Sequence, residues 1–125
     1  MATFDVEVVT PERTLLDGEA EMVTLRSAGG DIAYLAGHVP YIGAVLICVA
    51  RVHRPGGAVE AVSVHGGFIE VVDGKVVLLA GVAERAGDID AERARRALQA
   101  AEGAGDEDAV RRAEVRLESA EAAAR

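Results

Sequence analysis

The sequence predicts a β + α protein: an N-terminal β-sandwich of about ten short antiparallel strands over residues 1–85, then an antiparallel two-helix hairpin over residues 86–125. Two observations carry this reading. Up to Val82 the chain is a series of short, apolar or alternating runs punctuated by Gly and Pro. From Asp88 onward there is no Pro and no β-branched run, and Ala, Glu and Arg dominate, residues that keep side-chain freedom in a helix.

Taken in order, Phe4, Val6 and Val8 alternate with Asp5 and Glu7 as a half-buried strand does, and a turn around Asp17-Gly18 leads to Met22–Leu25. Arg54-Pro55-Gly56-Gly57 predicts a hairpin between Val49–His53 and Val59–Val64, because Pro presets one turn dihedral and Gly supplies the positive one. Asp73-Gly74 predicts a two-residue type I′ loop joining Phe68–Val72 to Lys75–Ala80.

Asp88 is the expected N-cap of a first helix that runs to about Glu102, Gly103-Ala104-Gly105 breaks it, and Asp106 caps a second. In the second helix Val110, Ala113, Leu117, Ala120 and Ala124 fall on one stripe; the first answers with Ala94, Ala97, Leu98 and Ala101. An Ala seam buries little, so the hairpin is expected to be marginally stable by itself. Glu92–Arg96, Glu107–Arg111, Asp108–Arg112 and Glu121–Arg125 are spaced for ion pairs along solvated helix faces.

Composition narrows the function classes. Half of the 125 residues are hydrophobic, enough for a core, but aromatics are 3 % and Trp is absent, which leaves no stacking platform for nucleic acid. A net charge of −8 repels phosphate backbones and anionic headgroups, so neither nucleic acid nor a lipid surface is an expected direct partner. The single cysteine, Cys48, lies in an apolar run and reads as a buried, inert thiol. No stretch is apolar over the ~18 residues needed to span a bilayer, and Met1–Thr10 lacks a signal-peptide pattern, so a cytoplasmic chain without membrane insertion is expected. His38, His53 and His65 match no metal-ligand spacing, and no catalytic site or metal is predicted.

Several stretches, in order, carry a family resemblance: Val8-Val9-Thr10-Pro11-Glu12, Glu21-Met22-Val23, Gly30-Asp31-Ile32-Ala33-Tyr34-Leu35-Ala36-Gly37-His38-Val39-Pro40, Gly66-Gly67-Phe68-Ile69-Glu70-Val71 and Ala83-Glu84-Arg85-Ala86. Together they resemble the epsilon subunit of bacterial F-type ATP synthase over essentially the whole chain. Ala36 stands where that family usually has Pro, and Leu46-Ile47-Cys48 where it has a Lys-Pro-Gly-like turn.

The resemblance implies a non-catalytic rotor subunit on the cytoplasmic face of the cell membrane. Its sandwich would pack on the gamma subunit and the membrane rotor ring, and its tail would regulate hydrolysis. Asp31, with Gly37 and His38, aligns with the interface to the ring and gamma; a solvated acid and a turn-capping histidine are the plainer readings. Ile89-Asp90-Ala91-Glu92-Arg93-Ala94 is similar to the family's nucleotide motif, with Glu84 before it and Arg112 and Arg116 in the second helix. These would bind ATP as an optional regulatory ligand, with no required cofactor and no obligatory metal. A further basic residue of the motif falls on Ala100, leaving Arg96 as its substitute, and plain capping with salt bridges is the alternative. With the tail extended, Arg111, Arg112 and Arg116 would meet acidic residues of the catalytic alpha/beta head. The rival to the whole reading is a stand-alone β-sandwich that binds nucleotide or acts as a scaffold.

Overall fold

The computed structural model describes residues 2–123. Eight strands come first: β1 (Phe4–Val9), β2 (Thr14–Ala20), β3 (Met22–Ser27), β4 (Gly30–Leu35), β5 (Tyr41–His53), β6 (Val59–Val72), β7 (Lys75–Ala80) and β8 (Ala83–Arg85). A 3-10 turn (Ala86–Asp88), α1 (Ala91–Ala104) and α2 (Glu107–Ala123) follow. The strands are fewer than the ten expected because β5 and β6 are long, 13 and 14 residues. Leu46-Ile47-Cys48 is no turn but the middle of β5.

The strands follow the order β2-β1-β7-β6-β5-β3-β4, with β8 added beside β6. All described pairings are antiparallel except β1 with β7, which is parallel. The path curls over so that Phe4, Val6 and Val8 of β1, Leu78 of β7, Val23 of β3 and Tyr34 of β4 share one core. That makes two layers from one bent ladder.

The bend has a residue-level cause. Along β5 the buried side switches from odd to even positions, from Val45 to Cys48, Ala50 and Val52. Along β6 it switches back, from Val62 and Val64 to Ile69 and Val71, and at the changeover stands Gly66 with φ +85°. A positive φ is strained for residues with a Cβ, so Gly66 lets the strand change faces without a break. Beside it, two residues of β3, Leu25 and Arg26, oppose five of β5, Leu46 to Ala50, which bow away from the ladder.

Two predicted hairpins stand as expected: Arg54 N donates to Ala58 O at 2.8 Å across the Pro55 turn, and Val72 pairs Lys75 across Asp73-Gly74. The turn expected at Asp17-Gly18 is absent, because both residues lie within β2. The chain reverses instead at Pro11-Glu12, between Thr10 and Arg13, whose backbones bond each other. Gly18 instead makes room for a side chain. The Arg54 guanidinium lies across it, donating to Asp17 O at 2.7 Å and Glu19 O at 2.9 Å, and a Cβ there would stand 3.0 Å from Arg54 Nη1.

In the tail the N-cap of α1 is Asp90, not Asp88; Asp90 Oδ1 accepts from Arg93 N at 3.1 Å, while Asp88 closes the 3-10 turn. Gly103 does not break α1, which continues through Ala104 to a left-handed Gly105. Asp106 caps α2 as expected, accepting from Ala109 N at 3.1 Å. Of the predicted seam, Ala94, Ala101 and Ala113 are buried, Leu98, Val110, Leu117 and Ala120 are half-buried, and Ala97 is exposed. Ala124 and the Glu121–Arg125 pair involve residues outside those described.

Docking of the hairpin uses another face of α2. Val115 and Ala122 pack with Ile47 and Val49 of β5, Ala61 of β6 and Ala86. Val115 alone among the large apolar residues of α2 is fully buried, worth about 1.5–3 kcal/mol. Against it stand buried polar atoms without hydrogen-bond partners, Ser119 Oγ and both ring nitrogens of His65, at about 1–3 kcal/mol per group. These unsatisfied atoms offset part of what the burial of Val115 contributes.

Candidate functional site

The residues of the predicted nucleotide motif converge. Glu84 on β8, Ile89 and Asp90 before α1, Arg93 and Ala94 in its first turn, and Arg116 on α2 line one cleft of about 410 Å³, with Val82, Asp88 and Ala97. The junction brings them together: β8 ends at Arg85, the 3-10 turn redirects the chain, and the Asp90 cap sets the start of α1 against α2. Val82, Ile89, Ala94 and Ala97 give the cleft an apolar side; Arg93 and Arg116 give it two cations.

Arg116 is already engaged. Its Nε donates to Glu84 Oε1 at 2.5 Å, in a pair about one-third exposed on each side. This charge-assisted bond ties α2 to β8 across the cleft. Arg112 lies one helical turn earlier, outside the cleft lining but near enough to His65 to disfavour a positive charge there.

The helix arginines bond across to the sandwich more than along their own helices. Arg111 Nε donates to Ile47 O at 3.3 Å, in the bowed part of β5, and Arg51 pairs Glu118 at 3.2 Å. No ion pair joins Glu107 to Arg111 or Asp108 to Arg112 among the described residues, and Glu92 pairs Arg95, not Arg96. For Arg111 the partner is a strand carbonyl, Ile47 O, which helix spacing does not reveal.

The second predicted group does not form one site. Asp31 is the second residue of β4 and is paired with Arg26 at 2.9 Å, which holds its carboxyl below the usual range. Gly37 and His38 follow the other end of that strand, about 13 Å or more away at ~3.3 Å per residue. Gly37 has φ +82°, and His38 Nδ1 donates to Val39 O at 2.7 Å, the turn-capping geometry. The His38 ring also sits 5.0 Å from that of Tyr34. Tyr34 itself is fully buried, with its hydroxyl pushed up to about 12 by burial and by neighbouring Tyr41.

Sequence reasoning missed an apolar stripe on the outer sheet. Phe68, 59 % exposed, stands between Ala44 of β5 and Leu79 of β7, and Ile42 and Leu46 flank Ala44 on the same face. The face switch in β5 and β6 makes this stripe continuous with the patch that α2 covers. In the sequence Ile42 and Leu46 fall inside the apolar run that holds Cys48, and nothing local shows which side of that run faces outward.

Cys48 is buried as expected, and burial pushes its thiol up. No group of three or more metal-ligating side chains and no helix long and apolar enough to cross a membrane occurs among the described residues.

Comparison with known proteins agrees with this architecture. A family model described as ATP synthase, Delta/Epsilon chain, beta-sandwich domain matches residues 3–86. The ATP synthase epsilon chain of Streptomyces avermitilis is 41 % identical over 121 residues, 97 % of this chain and 98 % of that protein. That of Streptomyces griseus subsp. griseus is 42 % identical over 116 residues, 93 % and 94 % of the two chains. Among solved structures, a chain in the cryo-EM structure of the Euglena gracilis mitochondrial ATP synthase, OSCP/F1/c-ring in rotational state 1, superposes with a TM-score of 0.76 at 25 % identity. That superposition spans all of this chain and 83 % of the other. The resemblance first carried by short motifs thus extends over the whole fold, and the chain belongs to the ATP synthase epsilon chain family.

Proposed function

We propose that this chain is the central-stalk epsilon subunit of a bacterial F-type ATP synthase, at the cytoplasmic face of the membrane, and that its helical tail regulates ATP hydrolysis in response to ATP. The subunit makes and breaks no covalent bond. Its sandwich joins the gamma shaft to the rotor ring, and the uncovered stripe of Ile42, Leu46, Phe68 and Leu79 is the face on which gamma packs. Asp31, salt-bridged and exposed, serves a polar loop of the rotor ring, with Gly37 and His38 shaping the far end of the same strand.

One observation carries the regulatory half: six of the seven residues proposed for ATP line a single cleft whose two sides are β8 and the docked hairpin. Adenine fits the Val82, Ile89, Ala94 and Ala97 side. The triphosphate meets Arg93 and Arg116, with Arg116 exchanging the Glu84 carboxylate for phosphate. Since the cleft exists only with the tail down, ATP stabilises that state. Without ATP the hairpin extends along gamma, and Arg111, Arg112 and Arg116 face the catalytic head. These arginines cannot hold both sets of partners at once.

Two measurements test the two halves of this scheme. Calorimetric titration of the full chain with ATP should give one site, weakened about 10- to 100-fold in Arg93→Ala, the loss expected for a charged hydrogen bond of about 1.5–3 kcal/mol. Undiminished binding by that variant, or none by the parent, removes ATP from the scheme. Independently, truncation after Gly87 should raise ATP hydrolysis by the assembled enzyme severalfold; an unchanged rate means that the tail does not inhibit.

A further inference from the structure

We propose that His65 is an acid-sensitive latch for the helical tail: docking of α2 shuts its imidazole, neutral, between Glu84 of β8 and the guanidinium groups of Arg112 and Arg116, so acidification releases the hairpin. His65 belongs to the half of β6 whose odd residues face the helix, as Ala61 packing with Val115 shows. It pairs Ile47 of β5, itself part of the patch under α2. Only 4 % of its side chain is exposed, and neither ring nitrogen has a hydrogen-bond partner. A proton added there would carry a charge into a closed interface with no acceptor in place.

The charges around the ring decide the sign. Glu84 Oε1 lies 3.9 Å from Nε2 and favours protonation, but that carboxylate is already held by Arg116 at 2.5 Å. Arg116 and Arg112 on α2 oppose it; the facing residue on β5, Ile47, is uncharged. Burial first, then Arg116, pushes the imidazole down from 6.5 to about 4 in the docked state. Once α2 leaves, both arginines leave with it and the ring meets water, so its affinity for protons returns toward the ordinary value.

The undocked state therefore binds more protons between pH 6.5 and 4. Docking is fully favoured above about pH 6.5 and weakens as the pH falls through that window. By pH 5.5 the docked-to-undocked ratio should have dropped about tenfold from its value at pH 7.5, a figure that hardly changes if the docked midpoint is a unit higher. Glu84 thus has two competing partners under the tail, and the same movement that opens the cleft uncovers His65.

The proposal rests on the reading that the tail undocks, and its test needs neither ATP nor other subunits, so it can fail or succeed apart from the nucleotide scheme. Amide hydrogen exchange of the full chain, corrected for the intrinsic pH dependence, reads undocking through α2. Protection from Ala113 to Ser119 should fall about tenfold from pH 7.5 to pH 5.5 in the unaltered chain and stay flat in His65→Gln. In parallel, the His65 ring followed by NMR should titrate well below 6.5 in the unaltered chain, which decides the matter should the variant not fold. A flat profile in the unaltered chain, an equal fall in both proteins, or a ring that titrates near 6.5 with α2 still protected would overturn the latch.

Discussion

Gly67→Ala is expected to cost about 3 kcal/mol or more and to lower the melting temperature by about 10 °C or more, at ~3–5 °C per kcal/mol for a domain of this size. A Cβ at Gly67 would stand 2.1 Å from the carbonyl oxygen of Leu79 and 3.0 Å from Ala80 Cα. Those are backbone atoms of the adjacent strand, so no side-chain rotation relieves the clash; β6 and β7 must part where Gly67 pairs Ala80. The parting would reach Ile69 and Leu78, both among the most deeply buried residues of the core. Gly81→Ala is the matched control, one residue past β7 with nothing within 4 Å of its Cβ position and no positive φ, and should change stability by less than about 0.5 kcal/mol. Calorimetric melting of the two variants separates them. Equal melting temperatures would mean that the strands slide apart freely at this point.

Gly67 also illustrates how far the sequence could be read. Local chemistry was legible wherever one dihedral or one cap decides: Asp73-Gly74 forms the two-residue loop and Asp106 caps α2, since both depend on residues a few positions away. It misled where a distant partner decides. Asp17-Gly18 carries turn chemistry, yet the Arg54 side chain, 36 residues on, uses Gly18 as the gap through which it reaches two carbonyls of β2. The shift of the α1 cap from Asp88 to Asp90 arises similarly, because Ala86–Asp88 is held as a 3-10 turn against α2.

The candidate cleft was legible as a set of residues but not as a shape. The resemblance named Glu84, Ile89, Asp90, Arg93, Ala94, Arg112 and Arg116; all but Arg112 line the one cleft. That Glu84 and Arg116 bond each other across the cleft depends on docking of α2, which no spacing rule encodes. His65 had no signal at all beyond a lone histidine among Ala61, Ser63 and Gly67. Its isolation becomes meaningful only once the helix above it brings two arginines.

The other large effect concerns the face that α2 leaves bare. Phe68→Lys should leave the isolated subunit's stability nearly unchanged, since the ring is 59 % exposed and the substitution creates no cavity. Binding to gamma should nevertheless weaken about a thousandfold. Burying a Phe is worth about 1.5–3 kcal/mol, and an ammonium group shut into the apolar surroundings of Ala44, Leu79 and Ile42 without a partner adds about 1–3 kcal/mol more. The sum, about 4 kcal/mol, is ~10³ in affinity. Glu70, two residues further on the same face and paired with Ile42, is an acid placed to soften the loss. Co-purification of the tagged subunit with gamma, alongside thermal melting of the free subunit, distinguishes lost binding from lost folding. If Phe68→Lys recovers gamma as well as the parent does, the stripe is not the shaft interface; the surface around Asp31, with Arg26 and Arg51 beside it, then becomes the place to look.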